Sequence, residues 1–320
     1  MRALVYDKYG PPETLRLEQV PQPRPAPGEV LVRVHATSLN SWDWDLMIGN
    51  VMGRITAPFG PPHKTLGADI SGTVEAVGDG VTEFAPGDAV FGDLSEGHWG
   101  GLAEYTTAKA SALARMPQGL NWLDAAALPQ AGCLALQAFR KRPQLGPGER
   151  VLINGAGGGV GTFAVQLAKA VGAHVTAVDR AEKRDALLAL GADDFIDYRR
   201  TDFTVGPARY DLIVDVVANR LVGAFARTLN DGGNLVVIGG TVGSLLQVAA
   251  LGPLVGRKRG LRLEVLVYRA SAQDSAELAA RCLAGEFRPI IDGPYPLEQG
   301  PTALRRLGDG LVIGKAVVTL

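Results

Sequence analysis

A glycine-rich turn between a strand-like segment and a helix-like segment constrains the fold of this chain most. Residues 150–154 read as a strand and residues 159–171 as a helix, with Gly155-Ala156-Gly157-Gly158 between them. Glycines permit a tight turn and a close approach of the backbone to a pyrophosphate, and the N-terminus of a helix attracts the anion. Counted from Ala156, the spacing is A-x-G-x-x-G, a softened form of the dinucleotide-binding pattern. The residues predicted to bind the cofactor in this turn are Ala156, Gly157, Gly158, Gly159, Val160 and Gly161.

The segments that follow favour a cofactor site over a turn that serves packing alone. Strand-like and helix-like runs alternate up to about residue 266, which predicts a parallel sheet with helices on both faces. Asp179 ends the strand predicted over residues 174–178, where a carboxylate binds ribose hydroxyls. The carboxyl ends of later strands, where the nicotinamide is expected, carry Val217, Gly239 and Gly240.

The residues on either side of this segment differ from it in composition. Residues 1–110 are rich in Gly, Pro and Val, and short strand-like runs separated by turns predict a small β-barrel-like domain. A helix predicted over residues 274–284 and extended runs at 290–295 and 315–320 are expected to return to it. We therefore predict an α/β chain in which a doubly wound dinucleotide-binding domain (124–266) is inserted into a mostly β domain formed by 1–123 and 267–320.

Composition excludes several classes of protein. The net charge of the 320 residues is -1, so no general attraction to nucleic acid is expected. The sequence has no run of 18 uncharged apolar residues, so no membrane span is predicted, and the N-terminal segment MRALVYDKYG reads as a strand. Cys133 and Cys282 cannot form a disulfide framework, so a reducing, cytoplasmic location is expected.

Ordered motifs across the whole chain resemble the zinc-free quinone oxidoreductase branch of the medium-chain dehydrogenase/reductase superfamily. The G-x-D-x-x-G-x-V-x-x-V-G signature of that family matches residues 67–78, and the matches continue at 84–92, 128–132, 191–193 and 314–318. The resemblance implies a Rossmann-type domain inserted into a GroES-like catalytic domain, an NAD(P)H cofactor and a small electrophilic substrate. Fold-level likeness says less about which substrate is used.

The resemblance also implies that no metal is bound. Zinc-dependent relatives hold the metal with two cysteines and a histidine, and the matching positions here are Asn40, Ala68 and Gln130. Alanine has no donor atom, so that site cannot form. The four histidines (His35, His63, His98 and His174) show no ligand spacing and are interpreted as surface or pocket residues.

Asn40 and Asp43 match the N-x-x-D of the family's active site and are the predicted catalytic residues. Without a metal, the easier reaction is hydride transfer to an acceptor that is already electrophilic, such as a quinone or an α,β-unsaturated carbonyl. Asn40 would donate an N–H to the acceptor oxygen, and Asp43 would orient the site or the nicotinamide ribose. The alternative is an Asx turn that caps a helix starting near Ser41. Trp42, Trp44 and Trp99 could form aromatic pocket walls or simply pack.

The residues around Asp179 point to both forms of the cofactor. A carboxylate repels the 2′-phosphate of NADPH, whereas the cations Arg180, Lys183 and Arg184 follow directly. Lys183 and Tyr198 resemble the 2′-phosphate site of NADPH-using relatives, and Asp179 could turn into solvent. We expect NADPH to be preferred and NADH to be accepted.

Alternating apolar residues at 261–267 predict a sheet edge through which two copies pair as a homodimer, and the family resemblance points the same way. Two other functions are compatible with the same sequence features: zinc-free alcohol or aldehyde oxidoreduction, and a non-catalytic cofactor-binding role.

Overall fold

A computed structural model describes residues 1–50, 54 and 57–320. These residues form two compact units: Met1–Cys133 together with Ala270–Leu320, and Leu134–Arg269. The first division lies ten residues after the predicted boundary, and the second lies three residues after it. The helix at Trp122–Ala127 explains the first difference. Ser71 Oγ donates to Trp122 O (2.7 Å) and Ser38 Oγ donates to Ala126 O (2.8 Å), so this helix is held on the sheet of the first unit.

The strands of the described residues are β1 (Arg2–Val5), β2 (Arg16–Gln19), β3 (Glu29–Leu39), β4 (Asp69–Val77), β5 (Ala89–Asp93), β6 (Tyr105–Lys109), β7 (Leu113–Arg115), β8 (Arg150–Asn154), β9 (His174–Asp179), β10 (Asp194–Asp197), β11 (Tyr210–Asp215), β12 (Leu229–Val237), β13 (Arg262–Val265), β14 (Ile291–Pro296) and β15 (Lys315–Thr319). The helices are α1 (Ser41–Ile48), α2 (Trp122–Ala127), α3 (Pro129–Phe139), α4 (Gly159–Ala170), α5 (Arg184–Ala189), α6 (Val222–Thr228), α7 (Val242–Gly256), α8 (Ala272–Leu283) and α9 (Gly300–Gly308). Short 3₁₀ turns occupy Pro12–Thr14, Ala110–Ala112, Ala181–Lys183, Arg257–Arg259 and Leu297–Gln299.

The second unit contains the predicted parallel sheet. Its six strands lie in the order β10-β9-β8-β11-β12-β13, and every neighbouring pair is parallel. The apolar residues of β8 and β11, such as Leu152 and Ile213, are fully buried because helices cover both faces of such a sheet. The strand order reverses between β8 and β11, and the carboxyl ends of these two strands therefore form a natural ligand-binding crevice. The prediction of a doubly wound domain is confirmed.

The first unit is mostly β, as predicted. A seven-stranded sheet has the order β14-β15-β3-β4-β5-β7, with β6 on the same central strand β3, and β1 and β2 form a separate pair. In β3 the register sets Ser38 opposite Asp69 of β4, and Leu39 opposite Ala316 of β15. Strand β15 therefore lies beside the end of β3, directly before Asn40 and α1.

Two helices were missed by the sequence analysis. Helix α7 is apolar on nearly every side, so no helical period separates a buried face from an exposed one, and Leu246 and Leu254 are exposed on it. Helix α9 follows β14 where only extended structure was expected. Val217 was expected at the carboxyl end of a strand, but β11 ends at Asp215, which leaves Val217 outside the sheet and half exposed.

Candidate active site

The glycine-rich turn of the second unit has the shape that a phosphate cradle requires. Gly155 has a φ of +82°, and its N–H and that of Ala156 both donate to Val178 O (3.0 and 3.2 Å). A Cβ built on Gly158 would find only Gly155 O nearby, at 3.5 Å, whereas one on Gly161 would lie 2.2 Å from the same oxygen. Gly161 is therefore needed for helix packing, and Gly158 leaves open space at the N-terminus of α4. A pyrophosphate fits that combination of free space and helix N-terminus.

Asp179 is attached to this turn. Its side chain is 7% exposed, its Oδ2 accepts from Gly157 N (2.8 Å), and its Oδ1 accepts from Arg180 N (2.8 Å). The suggestion that the carboxylate turns into solvent is therefore wrong. It is held because two backbone donors compensate its charge at the end of β9.

Lys183 contacts the same glycine. It is buried, and its Nζ donates to Gly157 O (3.4 Å). A Cβ on Gly157 would come within 2.5 Å of Lys183 Cδ and 3.0 Å of Asp179 Oδ2, so only glycine fits between them. The turn therefore carries a buried anion and a buried cation side by side.

The other predicted cofactor residues are more exposed. Arg180 is half-buried, and Tyr198 is 43% exposed with the Arg199 guanidinium 6.0 Å from its ring centre. Arg184 is exposed and lies 3.8 Å from Asp185. Gly159 and Val160 begin α4 directly after the turn.

At the carboxyl end of β11, the structure adds a residue that sequence reasoning missed. Asp215 is fully buried, and its Oδ1 accepts from Asn154 Nδ2 and from Val217 N (both 2.9 Å). Burial raises the pKa of Asp215 to about 6. Val217, Gly239 and Gly240 are brought together here, since Ala218 N donates to Gly239 O (3.0 Å) and Ala218 bridges to Gly240. The sequence signal that could have identified Asp215 is an acidic residue at the end of an apolar strand.

In the first unit, Asn40 joins β3 to α1 at the N-cap position, where the Asx-turn alternative put it, but its Oδ1 accepts from a lysine ammonium rather than from a backbone N–H of the helix. Its side chain is 7% exposed, its Nδ2 donates to Asp69 Oδ2 (2.9 Å), and its Oδ1 accepts from Lys315 Nζ. One hydrogen on Nδ2 is thus engaged, and the other has no partner within the described residues. The amide is fixed and retains one donor.

Asp43 has no exposed surface. Its Oδ2 accepts from Asn40 N and its Oδ1 accepts from Gly67 N, each at 2.7 Å. Burial raises the pKa of this carboxyl to about 7, although both backbone N–H groups favour the charged form. Asp43 therefore ties the start of α1 to the loop before β4 and holds Asn40 in place.

Asp69 is the centre of the polar cluster around Asn40. It is fully buried and accepts from Ser38 Oγ (3.1 Å), Lys315 Nζ (3.0 Å) and Gln130 N (3.0 Å) in addition to Asn40. Lys315 is only 1% exposed, so this is an ion pair removed from water. Neither Asp69 nor Lys315 was predicted to be a site residue, although both occur in the motifs quoted above.

The positions that match zinc ligands do not fit a metal. Asn40 is engaged by Lys315 and Asp69, Ala68 has no ligating atom, and the Gln130 Nε2 is buried without a partner in the part of the chain that the structure describes. Across residues 1–50, 54 and 57–320, no three His, Cys, Asp or Glu side chains are grouped to hold a metal ion.

The histidines and tryptophans contact other side chains of the described residues. Each histidine has its own neighbour: His35 with Thr73, His63 stacked on Trp99, His98 with Glu29, and His174 with Asp194. Trp99 is 4% exposed and therefore packs in the core, Trp44 packs against Gly308 and Arg305, and Trp42 is 41% exposed. The idea that Trp99 forms a pocket wall is therefore wrong.

The comparisons agree with this architecture. Residues 26–118 match the alcohol dehydrogenase GroES-like domain, and residues 190–318 match a family model described as zinc-binding dehydrogenase.

Every helix among the described residues is too short or too polar to cross a membrane.

Similar proteins extend over essentially the whole chain. The chloroplast envelope quinone oxidoreductase homolog of Arabidopsis thaliana is 33% identical over 99% of this chain and 98% of its own length. The mitochondrial NAD(P)H oxidoreductase RTN4IP1 of Bos taurus is 31% identical over 100% of this chain and 89% of its own length. The solved structure of the quinone oxidoreductase from Coxiella burnetii superimposes with a TM-score of 0.90 at 30% identity, covering 100% of this chain and 99% of that one. This chain therefore belongs to the quinone oxidoreductases of the medium-chain dehydrogenase/reductase superfamily.

Proposed function

We propose that this protein is an NAD(P)H-dependent oxidoreductase that transfers hydride to a quinone or an α,β-unsaturated carbonyl without zinc. The observation that carries the proposal is the open position at Gly158, where the N-terminus of α4 faces free space that a Cβ would begin to fill. The relatives named as quinone and NAD(P)H oxidoreductases support the same reaction class.

The second unit would hold the cofactor, which supplies the hydride. The turn at residues 155–158 and the first N–H groups of α4 would bind the pyrophosphate. Asp179 and Lys183, which flank Gly157, lie where the adenosine ribose is expected at the end of the second strand of such a domain. Val217, Gly239 and Gly240, beyond the strand ends, would border the nicotinamide.

Asn40 would bind the oxygen of the hydride acceptor. Hydride addition to the carbon of a quinone or enone leaves negative charge on the oxygen, and a fixed N–H donor stabilises that charge. The second hydrogen of Asn40 Nδ2 is such a donor, since the first is held by Asp69. Asp43, with no exposed surface, would act as a positioning residue that keeps the Asn40 backbone in place.

A zinc-free reaction is supported by the chemistry of the cluster. Ala68 contributes no ligand, and the buried Lys315 ammonium already compensates Asp69 at 3.0 Å. A divalent ion placed beside this ammonium would be repelled by the like charge. The electrophile must therefore be reactive enough to accept hydride without a Lewis acid, as quinones and enones are.

NADPH is proposed as the preferred cofactor, with NADH also accepted. The charge of Asp179 is compensated by two backbone N–H groups, and the buried Lys183 donates to the carbonyl oxygen of the same Gly157. Arg180 and Tyr198 lie near the end of β9 and are accessible to a 2′-phosphate. The attraction of these side chains for a 2′-phosphate would exceed the repulsion by the single Asp179 carboxylate, which is already hydrogen-bonded.

A homodimer formed through β13 is also proposed. Strand β13 is the edge of the six-stranded sheet, and Val267 directly beyond it is 77% exposed. An exposed apolar edge is a template for pairing with a second copy of the same strand. A cytoplasmic location is proposed because both cysteines are free thiols, which suit a reducing compartment.

Steady-state oxidation of NADPH and NADH should be measured against quinones, alkenals and aldehydes. The proposal expects quinones or enones to be turned over and simple aldehydes to be poor substrates. Turnover of alcohols or aldehydes alone would favour zinc-free alcohol oxidoreduction. Tight cofactor binding without turnover of any acceptor would favour a non-catalytic role.

A further inference from the structure

We propose that Lys315 is a positioning residue for the reaction, which acts through Asn40 by compensating the charge of Asp69. This inference rests on the proposed function, since it concerns the oxygen that Asn40 binds. It adds a residue from the last strand of the chain to a site otherwise built from β3, α1 and β4.

Strand register brings the three side chains together. Strand β3 is flanked by β15 on one side and β4 on the other. Leu39, next to Asn40, pairs with Ala316, and Ser38 pairs with Asp69. Lys315 thus enters the cluster from one neighbouring strand and Asp69 from the other, with Asn40 between them.

The donors and acceptors allow one orientation of the Asn40 amide. An ammonium group has three donors and no acceptor, whereas an ionised carboxylate only accepts. The oxygen of the amide must therefore face Lys315 and the nitrogen must face Asp69, as the contacts show. The remaining hydrogen of Nδ2 is then fixed in direction.

Lys315 also compensates the negative charge beside the Asn40 amide. Asp69 is fully buried and hydrogen-bonded to the same amide that would stabilise a developing negative charge on the substrate. An uncompensated carboxylate at that place would oppose this charge, because electrostatic interactions are strong away from water. The Lys315 ammonium, in contact with both Asp69 and Asn40, cancels the carboxylate and polarises the amide so that its N–H donates more strongly.

The test uses two neutral variants and one charged variant of Lys315. Lys315→Met removes the donor and the charge, Lys315→Gln retains an N–H donor but removes the charge, and Lys315→Arg retains the charge. We expect kcat for a quinone to fall about tenfold in the two neutral variants, below the ~100-fold loss of a removed oxyanion donor. KM and cofactor affinity should change less than about threefold, and Lys315→Arg should recover part of kcat. Lys169→Met, which breaks the Lys169–Asp193 ion pair elsewhere, is the matched control and should keep wild-type kcat.

A double-mutant cycle separates this role from a merely structural one. If Lys315 acts through Asn40, adding Lys315→Gln to Asn40→Ala should change kcat by less than about twofold. An equal, independent loss of kcat in both backgrounds would overturn the proposal, as would unchanged kcat in Lys315→Gln. Should Lys315→Met fail to fold, the Gln and Arg variants still decide the question.

A readout independent of turnover distinguishes failure of this inference from failure of the proposed function. The chain has seven asparagines, so ¹⁵N-asparagine labelling gives a side-chain NMR spectrum in which Asn40→Ala assigns the Asn40 signals. Lys315→Gln should shift those signals even if wild-type protein reduces no quinone or enone. An active wild-type enzyme whose Asn40 signals do not move in Lys315→Gln would refute the role of Lys315 alone.

Discussion

Replacing Gly158 by valine should abolish cofactor binding while the protein remains folded. Gly158 is the N-cap of α4, and a Cβ at this position meets only Gly155 O at 3.5 Å, an ordinary contact distance. The new side chain would instead enter the free space at the helix N-terminus. Because that is the space a pyrophosphate needs, the substitution should affect binding and leave packing largely unchanged.

The cost to folding can be estimated from the same contacts. Valine is a poorer N-cap than glycine by about 1 kcal/mol, and the loss of glycine's freedom in the unfolded chain offsets this by about 0.4–1 kcal/mol. The net change in the free energy of unfolding should therefore stay within about 1 kcal/mol, or a Tm shift of about 2–4 °C.

Gly161→Ala is the contrasting variant. Its Cβ would lie 2.2 Å from Gly155 O and 2.5 Å from two backbone atoms of Ala156. Relief of such overlap requires a backbone shift, which costs about 1–3 kcal/mol or more. This smaller side chain should therefore lower Tm more than valine does at position 158.

Calorimetric titration with NADPH and NADH, together with thermal unfolding, tests both statements. Gly158→Val should weaken cofactor binding at least ~100-fold, or about 2.8 kcal/mol. Gly146→Val is a suitable control, since the nearest heavy atom to its Cβ is 3.9 Å away in a loop of the same unit. Unchanged cofactor affinity in Gly158→Val would show that the phosphate site has been misplaced, and a large fall in its Tm would show that the open space is needed for folding.

Four further outcomes are expected. Asp179→Asn, which retains an acceptor for Gly157 N, should raise NADPH affinity. Lys183→Met should lower NADPH affinity about fivefold, which corresponds to the ~1 kcal/mol of a modest ion pair, and should change NADH affinity little. At least tenfold tighter binding of NADH than of NADPH by the wild type, about 1.4 kcal/mol, would contradict the NADPH preference. Elemental analysis should find no stoichiometric zinc, and one zinc per chain would refute the argument from Ala68. Light scattering at micromolar concentration should give the mass of a dimer, and a monomer would remove the role assigned to β13. Burial raises the pKa of Asp215 from 3.8 to about 6, so the stability contributed by its protonation is complete below about pH 4 and is lost as pH rises through 6. Asp215→Asn keeps the Oδ1 acceptor and replaces the buried Oδ2, which has no partner among the described residues. Urea unfolding at pH 8 should therefore show a free energy of unfolding up to about 3 kcal/mol higher in this variant than in the wild type. If the variant and the wild type lost stability equally as pH rises, the raised pKa of Asp215 would be refuted.

Features that depend on local sequence were predicted well. The strand Arg150–Asn154, the glycine turn and α4 follow one another within a short segment, and each has its own signal in the order of apolar residues and glycines. The doubly wound sheet follows from repetition of that unit, since strands covered on both faces are apolar throughout. Helix α7 was missed because its apolar residues show no helical period, and its capping by Thr241 is a weak signal beside them.

The cofactor turn was only partly predictable. The motif indicated which glycines would lie in it, but the different tasks of Gly158 and Gly161 depend on which atoms surround each position. The direction of the Asp179 side chain also depended on its surroundings. A carboxylate at a strand end turns to solvent or to a backbone donor according to what lies within reach, and here Gly157 N is 2.8 Å away.

The sequence by itself determined which chemical groups are available and how closely they follow one another: a glycine turn before a helix, an alanine at a zinc-ligand position, and an asparagine and an aspartate three residues apart. Those features are properties of residue type and short spacing, and no fold can change them. The tertiary structure alone decided that Lys315 and Asn40, 275 residues apart, would both contact Asp69, and that Asp43 would be buried with its carboxylate bound to Asn40 N and Gly67 N. Such contacts depend on strand order and register across the sheet, and a one-residue shift in pairing turns every side chain of a strand to the opposite face.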